Sequence, residues 1–182
     1  MEDKNTDKYS FDKLYIAYGS NLNLLQMKHR CPAARVIGAS ELKNYELVFR
    51  GSRENAVATI EPCEGSTVPV LLWSIKPDDE KALDRYEGYP NFYEKSRVNI
   101  TIGNHKATAM VYIMTEGHNL GKPSDNYLKT IEEGYIDAGF DTKILHDAVE
   151  KTLIQIENFE EIDKEESQKE AEQGDVFGIK WW

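Results

Sequence analysis

Two short segments of the sequence hold the residue types that acid–base chemistry beside an anion site calls for. The first is Tyr18-Gly19-Ser20-Asn21, directly after an apolar run that begins at Leu14. A glycine turn leaving a strand has peptide N–H groups without partners in regular structure. Together with those of a following helix start, they form a concave nest that accepts an anion. Such a nest can hold a carboxylate or a developing oxyanion, with Gly19 admitting close approach and the Ser20 hydroxyl and Asn21 amide adding directional donors. A turn of this composition is also common chain punctuation, so its meaning depends on what it faces.

The second segment is Leu83-Asp84-Arg85-Tyr86-Glu87-Gly88-Tyr89-Pro90. Glu87 falls at the last turn of an expected helix, among Tyr86, Tyr89, Phe92 and Tyr93. An aromatic setting excludes water and raises a carboxylate's affinity for a proton, which suits a general base. Asp84 shares roughly the same helix face, but beside Arg85 it reads as a surface or capping residue, leaving Glu87 as the candidate catalytic group. Cys31 and Cys63 are far apart and lack the histidine spacing of a zinc site, so they read as ordinary reduced thiols.

The elements that must position these residues follow from pattern. Strands are expected over residues 14–18, 35–42, 45–49, 57–60 and 68–75, separated by Asn, Gly and Pro punctuation. A short helix over residues 22–30 ends at Pro32, and a second begins near Pro77 with acids in its first turn and stops at Gly88. Residues 93–102 and 106–114 flank the hairpin turn Gly103-Asn104-His105. Ser124 reads as the N-cap of a helix that ends at Gly139, and Thr142 starts another, with Leu145, Ala148, Val149, Leu153 and Ile156 on one face.

With 182 residues, 40% of them hydrophobic, the chain can bury one substantial core. A single domain over residues 1–156 is expected, followed by an acidic tail over 157–182 that is partly disordered or docked. Residues 157–175 carry nine acids against two bases, so seven of the ten net negative charges sit there. No basic stripe supports nucleic-acid binding, and no apolar run approaches the ~20 residues that span a bilayer. A cytoplasmic protein is expected, and its oligomeric state is not legible. Residues 176–182 (VFGIKWW) reverse the polar trend and are candidates to fold back or to meet another chain.

Taken together, the motifs match a family. Ile16-Ala17-Tyr18-Gly19-Ser20-Asn21-Leu22 resembles the (F/Y)-A-Y-G-S-N-L signature of γ-glutamylcyclotransferase-like proteins, which include the γ-glutamylamine cyclotransferases and the AIG2-like group. Leu83-Asp84-x-x-Glu87-Gly88, followed by Tyr89-Pro90-x-x-Tyr93, resembles the segment carrying that family's catalytic glutamate. Pro123-Ser124-x-x-Tyr127-x-x-x-Ile131-x-x-Gly134 is similar to the stretch whose Tyr lines the site. The resemblance runs from about Lys13 to Val149 and implies an α+β fold, a compact mixed β-barrel with flanking helices. It also implies a cofactor-free and metal-free release of 5-oxoproline from a small γ-glutamyl amide. Glu87 would be the acid–base group, and Tyr18, Gly19, Ser20, Asn21, Leu22 and Tyr127 would bind substrate. Asn91, Phe92 and residues 117–123 would shape the leaving-group side.

Two other readings stand beside this one. The pocket could bind a γ-glutamyl or carboxylate metabolite without catalysis, although a binder of anions gains nothing from a buried negative charge beside its ligand. Alternatively, the acidic tail with Trp181-Trp182 could recruit a partner.

Overall fold

The computed structural model describes residues 12–175, with side chains described as far as residue 169. The expected docking of residues 176–182 lies outside the described residues. In chain order the elements are β1 (Lys13–Ala17), a 3-10 turn (Ser20–Leu22), α1 (Leu24–Arg30), β2 (Arg35–Gly51), β3 (Ala56–Ile75), α2 (Pro77–Glu87), β4 (Tyr93–Ile102), β5 (His105–Met114), α3 (Asp125–Ala138) and α4 (Thr142–Asp175).

Four of the expected strands merge into two. β2 and β3 pair antiparallel from Arg35 opposite Ser74 to Gly51 opposite Ala56, with register shifts between Val36 and Gly38 and between Lys43 and Tyr45. At the second shift Asn44 takes φ 63°, and its side-chain oxygen accepts from the Gly65 N–H at 3.1 Å. The polar punctuation is therefore a bulge that bends a continuous hairpin, because the partner strand keeps supplying backbone hydrogen bonds on either side of it.

The sheet order is β2-β3-β1-β5-β4. β1 runs antiparallel to β3 and parallel to β5, so the first strand ends up in the middle of a mixed sheet. Ser40 Oγ donates to the Thr101 carbonyl at 2.6 Å and links the edge strands β2 and β4. The backbone ladder itself stays open, so the expected barrel is a curled sheet without hydrogen-bonded closure. Ile16, Phe49, Ile60, Leu72, Ile75, Leu83, Val111, Ile131 and Leu145 form a continuous buried core between sheet and helices.

Several local devices aim the helices at one end of this sheet. Buried Asp79 accepts from the Lys76 N–H at 3.0 Å and from the Ala33 N–H at 3.4 Å, pinning the start of α2 to the loop that follows α1. Gly88, at φ 64°, ends α2 in the left-handed conformation that costs glycine little, which leaves Glu87 as the last helical residue. Ser124 caps α3 by accepting from the Tyr127 N–H, and α3 then crosses the 3-10 turn at Gly134. α4 continues through residues 156 and 157 without interruption, and Arg53 pairs with Glu160 at 2.6 Å. Among the described residues no helix is long and apolar enough to cross a membrane.

The crossing at Gly134 generates a prediction. A Cβ there would stand 2.6 Å from Leu22 Cβ and 2.7 Å from the Asn23 nitrogen, part of which is backbone that cannot step aside. Gly134→Ala is expected to destabilise the protein by about 2–4 kcal/mol in urea titration. A loss below about 0.5 kcal/mol would mean that α3 and the turn are not packed this closely.

Candidate active site

β1 delivers the chain to the 3-10 turn, and α2 delivers Glu87 to the same place from the opposite side. Between them lies a cavity of about 30 Å³, lined by Tyr15, Tyr18, Gly19, Ser20, Asn21, Ala58, Glu87, Tyr93, Tyr112 and Tyr127. That is room for about one water. Asn21 Nδ2 donates to Glu87 Oε1 at 2.8 Å and to the Tyr15 hydroxyl at 2.8 Å. Ser20 Oγ and the half-exposed Tyr86 hydroxyl share a hydrogen bond of 3.0 Å. Both polar side chains of the turn are thus engaged within the protein, Asn21 as a donor to Glu87 and Tyr15.

The phenols that form the walls are themselves held. Tyr18 OH donates to the Tyr112 carbonyl at 2.7 Å, Tyr93 OH donates to the Ala58 carbonyl at 2.6 Å, and Tyr127 OH accepts from the Ala58 N–H at 3.1 Å. Tyr112 OH donates to Asp84 Oδ1 at 2.5 Å, and Lys95 Nζ bridges both Asp84 oxygens, 2.7 Å from Oδ1 and 2.9 Å from Oδ2. Asp84 is therefore an orienting group for a cavity wall, not the surface contact its neighbour Arg85 suggested. Gly19 lies where a Cβ would be 3.2 Å from Ala58 Cβ and 3.5 Å from the Tyr127 hydroxyl, so this position has little room for a side chain.

Burial sets the electrostatics. Loss of water pushes Glu87 up to about 7, against the opposing pull of the Arg30 charge and the Asn21 hydrogen bond. Tyr15, Tyr18, Tyr93 and Tyr127 are all raised above the usual tyrosine range, chiefly by burial. They remain neutral hydroxyls near pH 7, so among the groups lining the cavity Glu87 is the one poised to exchange a proton there. Cys31 is buried and its thiol is pushed up to about 12, first by desolvation and then by Asp79, which makes it a poor nucleophile. Among the described residues, no group of three or more His, Cys, Asp or Glu stands close enough to hold a metal ion.

The cavity brings together Glu87, Tyr18, Gly19, Ser20, Asn21 and Tyr127 from the sequence-derived candidates. Leu22 is a correction. It is fully buried, and α3 crosses against it at Gly134, so it supports the turn and does not line the cavity. The aromatic setting also differs from expectation. Tyr89 is exposed and lies under Lys95, and Phe92 packs edge-on against His118 and Tyr93. Of the four expected rings Tyr93 does line the cavity, and it is joined there by Tyr15, Tyr18, Tyr112 and Tyr127. Tyr15, Tyr112 and Arg30 carry no local spacing that links them to Glu87 in the sequence, whereas Asp84, three residues earlier on the same helix, was read only as a surface or capping residue. Residues 117 and 118 line a separate groove with Arg50, Glu61 and Thr115.

The site thus sets a desolvated glutamate against a Gly-Ser-Asn turn at one end of a curled mixed sheet. Residues 15–135 match the family described as gamma-glutamyl cyclotransferase, AIG2-like. The human protein named gamma-glutamylcyclotransferase is 30% identical over 142 residues, covering 73% of this chain and 74% of its own. The bovine protein of that name is 28% identical over 145 residues, covering 75% and 76% respectively. A solved structure titled gamma-glutamyl cyclotransferase superposes with a TM-score of 0.69 at 25% identity, over 76% of this chain and 86% of its own. The chain belongs to the gamma-glutamyl cyclotransferase, AIG2-like family, and is an enzyme of the γ-glutamylcyclotransferase type.

The raised proton affinity of Glu87 has a stability signature. Folded Glu87 keeps its proton up to about pH 7, whereas the unfolded chain releases it near 4.5. The associated stability is present below pH 4.5 and is lost as pH rises through about 7. Glu87→Gln removes this dependence, so relative to wild type the variant should gain about 1–3 kcal/mol on going from pH 5 to pH 8. Urea titrations at the two pH values check this, and an unchanged difference would place Glu87 in an aqueous environment.

Proposed function

We propose that the protein releases 5-oxoproline from a γ-glutamyl amide, with Glu87 as the general acid–base. The nucleophile is the substrate's own α-amine, tethered so that attack on the γ-carbonyl closes a five-membered ring, and proximity supplies much of the acceleration. Ionised Glu87 takes a proton from the α-ammonium, and the freed nitrogen lone pair forms the C–N bond of the ring. The tetrahedral oxyanion is stabilised by donors of the Tyr18-Gly19-Ser20-Asn21 turn, and Tyr127 lines the substrate side. Glu87 then gives that proton to the departing nitrogen as the amide C–N bond breaks, takes the second proton from the ring nitrogen and passes it to the freed amine, which leaves as an ammonium, so water is not consumed.

The observation that carries this reading is the desolvated carboxylate in the cavity, raised to about 7 and held 2.8 Å from the Asn21 amide of the turn that would face the oxyanion. A base with that affinity is ionised in part at neutral pH and still strong enough to unmask an amine. A cavity of about 30 Å³ does not admit a glutamyl group, so binding displaces side chains at the rim. Tyr86 is the natural one, half exposed and tied to the turn by one hydrogen bond. A small-molecule substrate and a cytoplasmic setting belong to the same proposal.

The test is incubation with γ-glutamyl amino acids, γ-glutamyl-ε-lysine and glutathione, reading 5-oxoproline by mass spectrometry. Wild-type kcat/KM is expected to rise with pH through about 7, as Glu87 ionises. Glu87→Gln should lose on the order of 10²- to 10⁴-fold in kcat. Near-normal turnover by that variant would refute the role of Glu87, and a null across the whole panel would favour a binding module.

A further inference from the structure

Arg30 is the last residue of α1, and the chemistry described so far leaves it unused. Its Nη1 donates to Asn21 Oδ1, and its guanidinium lies over the Tyr86 ring with the central carbon 3.2 Å from the centroid. Asn21 therefore has both ends of its amide committed: oxygen to Arg30, nitrogen to Glu87 and the Tyr15 hydroxyl. The backbone beneath Arg30 is fixed as well. Asn23 caps α1 by accepting from the Gln26 N–H at 3.0 Å and reaches the Thr130 carbonyl and Glu133 on α3, while Asp79 clamps the loop beyond.

An asparagine amide can rotate by half a turn at little intrinsic cost, exchanging its donor and acceptor ends. The observed orientation points an N–H at Glu87, which favours the ionised carboxylate. The flipped orientation would point Oδ1 at Glu87, which favours the protonated acid, and Arg30 opposes that flip because guanidinium and amide N–H groups would then face each other. We propose that Arg30 is a positioning residue, locking the Asn21 amide so that Glu87 stays aimed and ionised as the reaction begins. This inference rests on the reading of Glu87 as the base, although its central claim concerns only the proton on Glu87.

The surroundings leave little else to perform this task. Facing Glu87 are hydroxyls of Tyr15 and Tyr18 from the β1 side, Tyr93 from β4, Tyr112 from β5 and Tyr127 from α3, with Tyr86 on its own helix. Asp84 is shared between Tyr112 and Lys95, and Lys95 is further neutralised by Glu80. Arg30 is the charge acting to hold down the proton affinity of Glu87, and Asn21 is the hydrogen bond that does so, so the two opposing influences are consecutive links of one chain.

The experiment titrates the Glu87 side-chain carboxyl by ¹³C NMR in wild type, Arg30→Lys, Arg30→Gln and Arg30→Met, alongside pH profiles of kcat/KM on any amide that is turned over. Circular dichroism first establishes that each variant is folded. Arg30→Met should move the Glu87 midpoint upward by about one pH unit, with the acid limb of activity moving in step and about a fivefold loss at pH 7 that shrinks at higher pH. Arg30→Gln keeps a donor for Asn21 and drops only the charge, so it should fall between, and Arg30→Lys should restore most of the wild-type profile. An unmoved midpoint in folded Arg30→Met or Arg30→Gln overturns the proposal. So does a raised KM with an unshifted pH profile, which would make Arg30 a substrate contact. A shifted midpoint without turnover of any γ-glutamyl amide upholds Arg30 as the positioning residue while removing the cyclotransferase reading.

Discussion

A carboxylate kept away from water is the constraint around which this molecule is arranged. Burial raises the affinity of Glu87 for its proton, and the two features that resist this are the Arg30 charge and the Asn21 amide at 2.8 Å. The outcome of that contest, an affinity near neutrality, depends on small distances between groups on three different elements. The rest of the fold is best understood by how it holds those elements in place.

β1 is five residues long, yet it sits between β3 and β5 and is buried over its last three positions. A central strand is the least free to move, so the turn that leaves it starts from a rigid origin. α2 is fixed at both ends, by the Asp79 hydrogen bonds at its start and by the left-handed Gly88 at its close, which sets the direction of Glu87. α3 approaches closely enough at Gly134 to press on Leu22 and to present Tyr127 to Ala58 and Gly19. Each device is modest, worth on the order of 1 kcal/mol, but their common effect is positional.

Neutral phenols are an effective wall for such a site. They exclude water, and their hydroxyls are tied to backbone carbonyls, a backbone N–H, Asn21 or Asp84 instead of competing for the proton on Glu87. Desolvation without a competing base is what lets a single carboxylate act alone in the proposed reaction. The long α4 stands apart from this arrangement. None of its described residues lines the cavity, and its acidic half touches the body where Glu160 pairs with Arg53.

Much was legible in the sequence because it depends on local rules. Gly88 after Glu87, Ser124 ahead of α3 and Gly139 behind it mark helix ends wherever they occur, since capping and the left-handed conformation are properties of a few neighbouring residues. The Tyr18-Gly19-Ser20-Asn21 turn and Glu87 were recognisable for the same reason. Tyr127 was legible through the resemblance, but Tyr15, Tyr112 and Arg30 were not, because they meet Glu87 only through the packing of β1, β5 and α1 against the end of α2. Sequence alone singled out Glu87 and the Tyr18-Gly19-Ser20-Asn21 turn, the two segments that the fold brings together. Only the tertiary structure decided that the turn's amide is spent on that carboxylate and that Leu22 lies in the core, because desolvation and hydrogen-bond partners are set by long-range packing that no local pattern encodes.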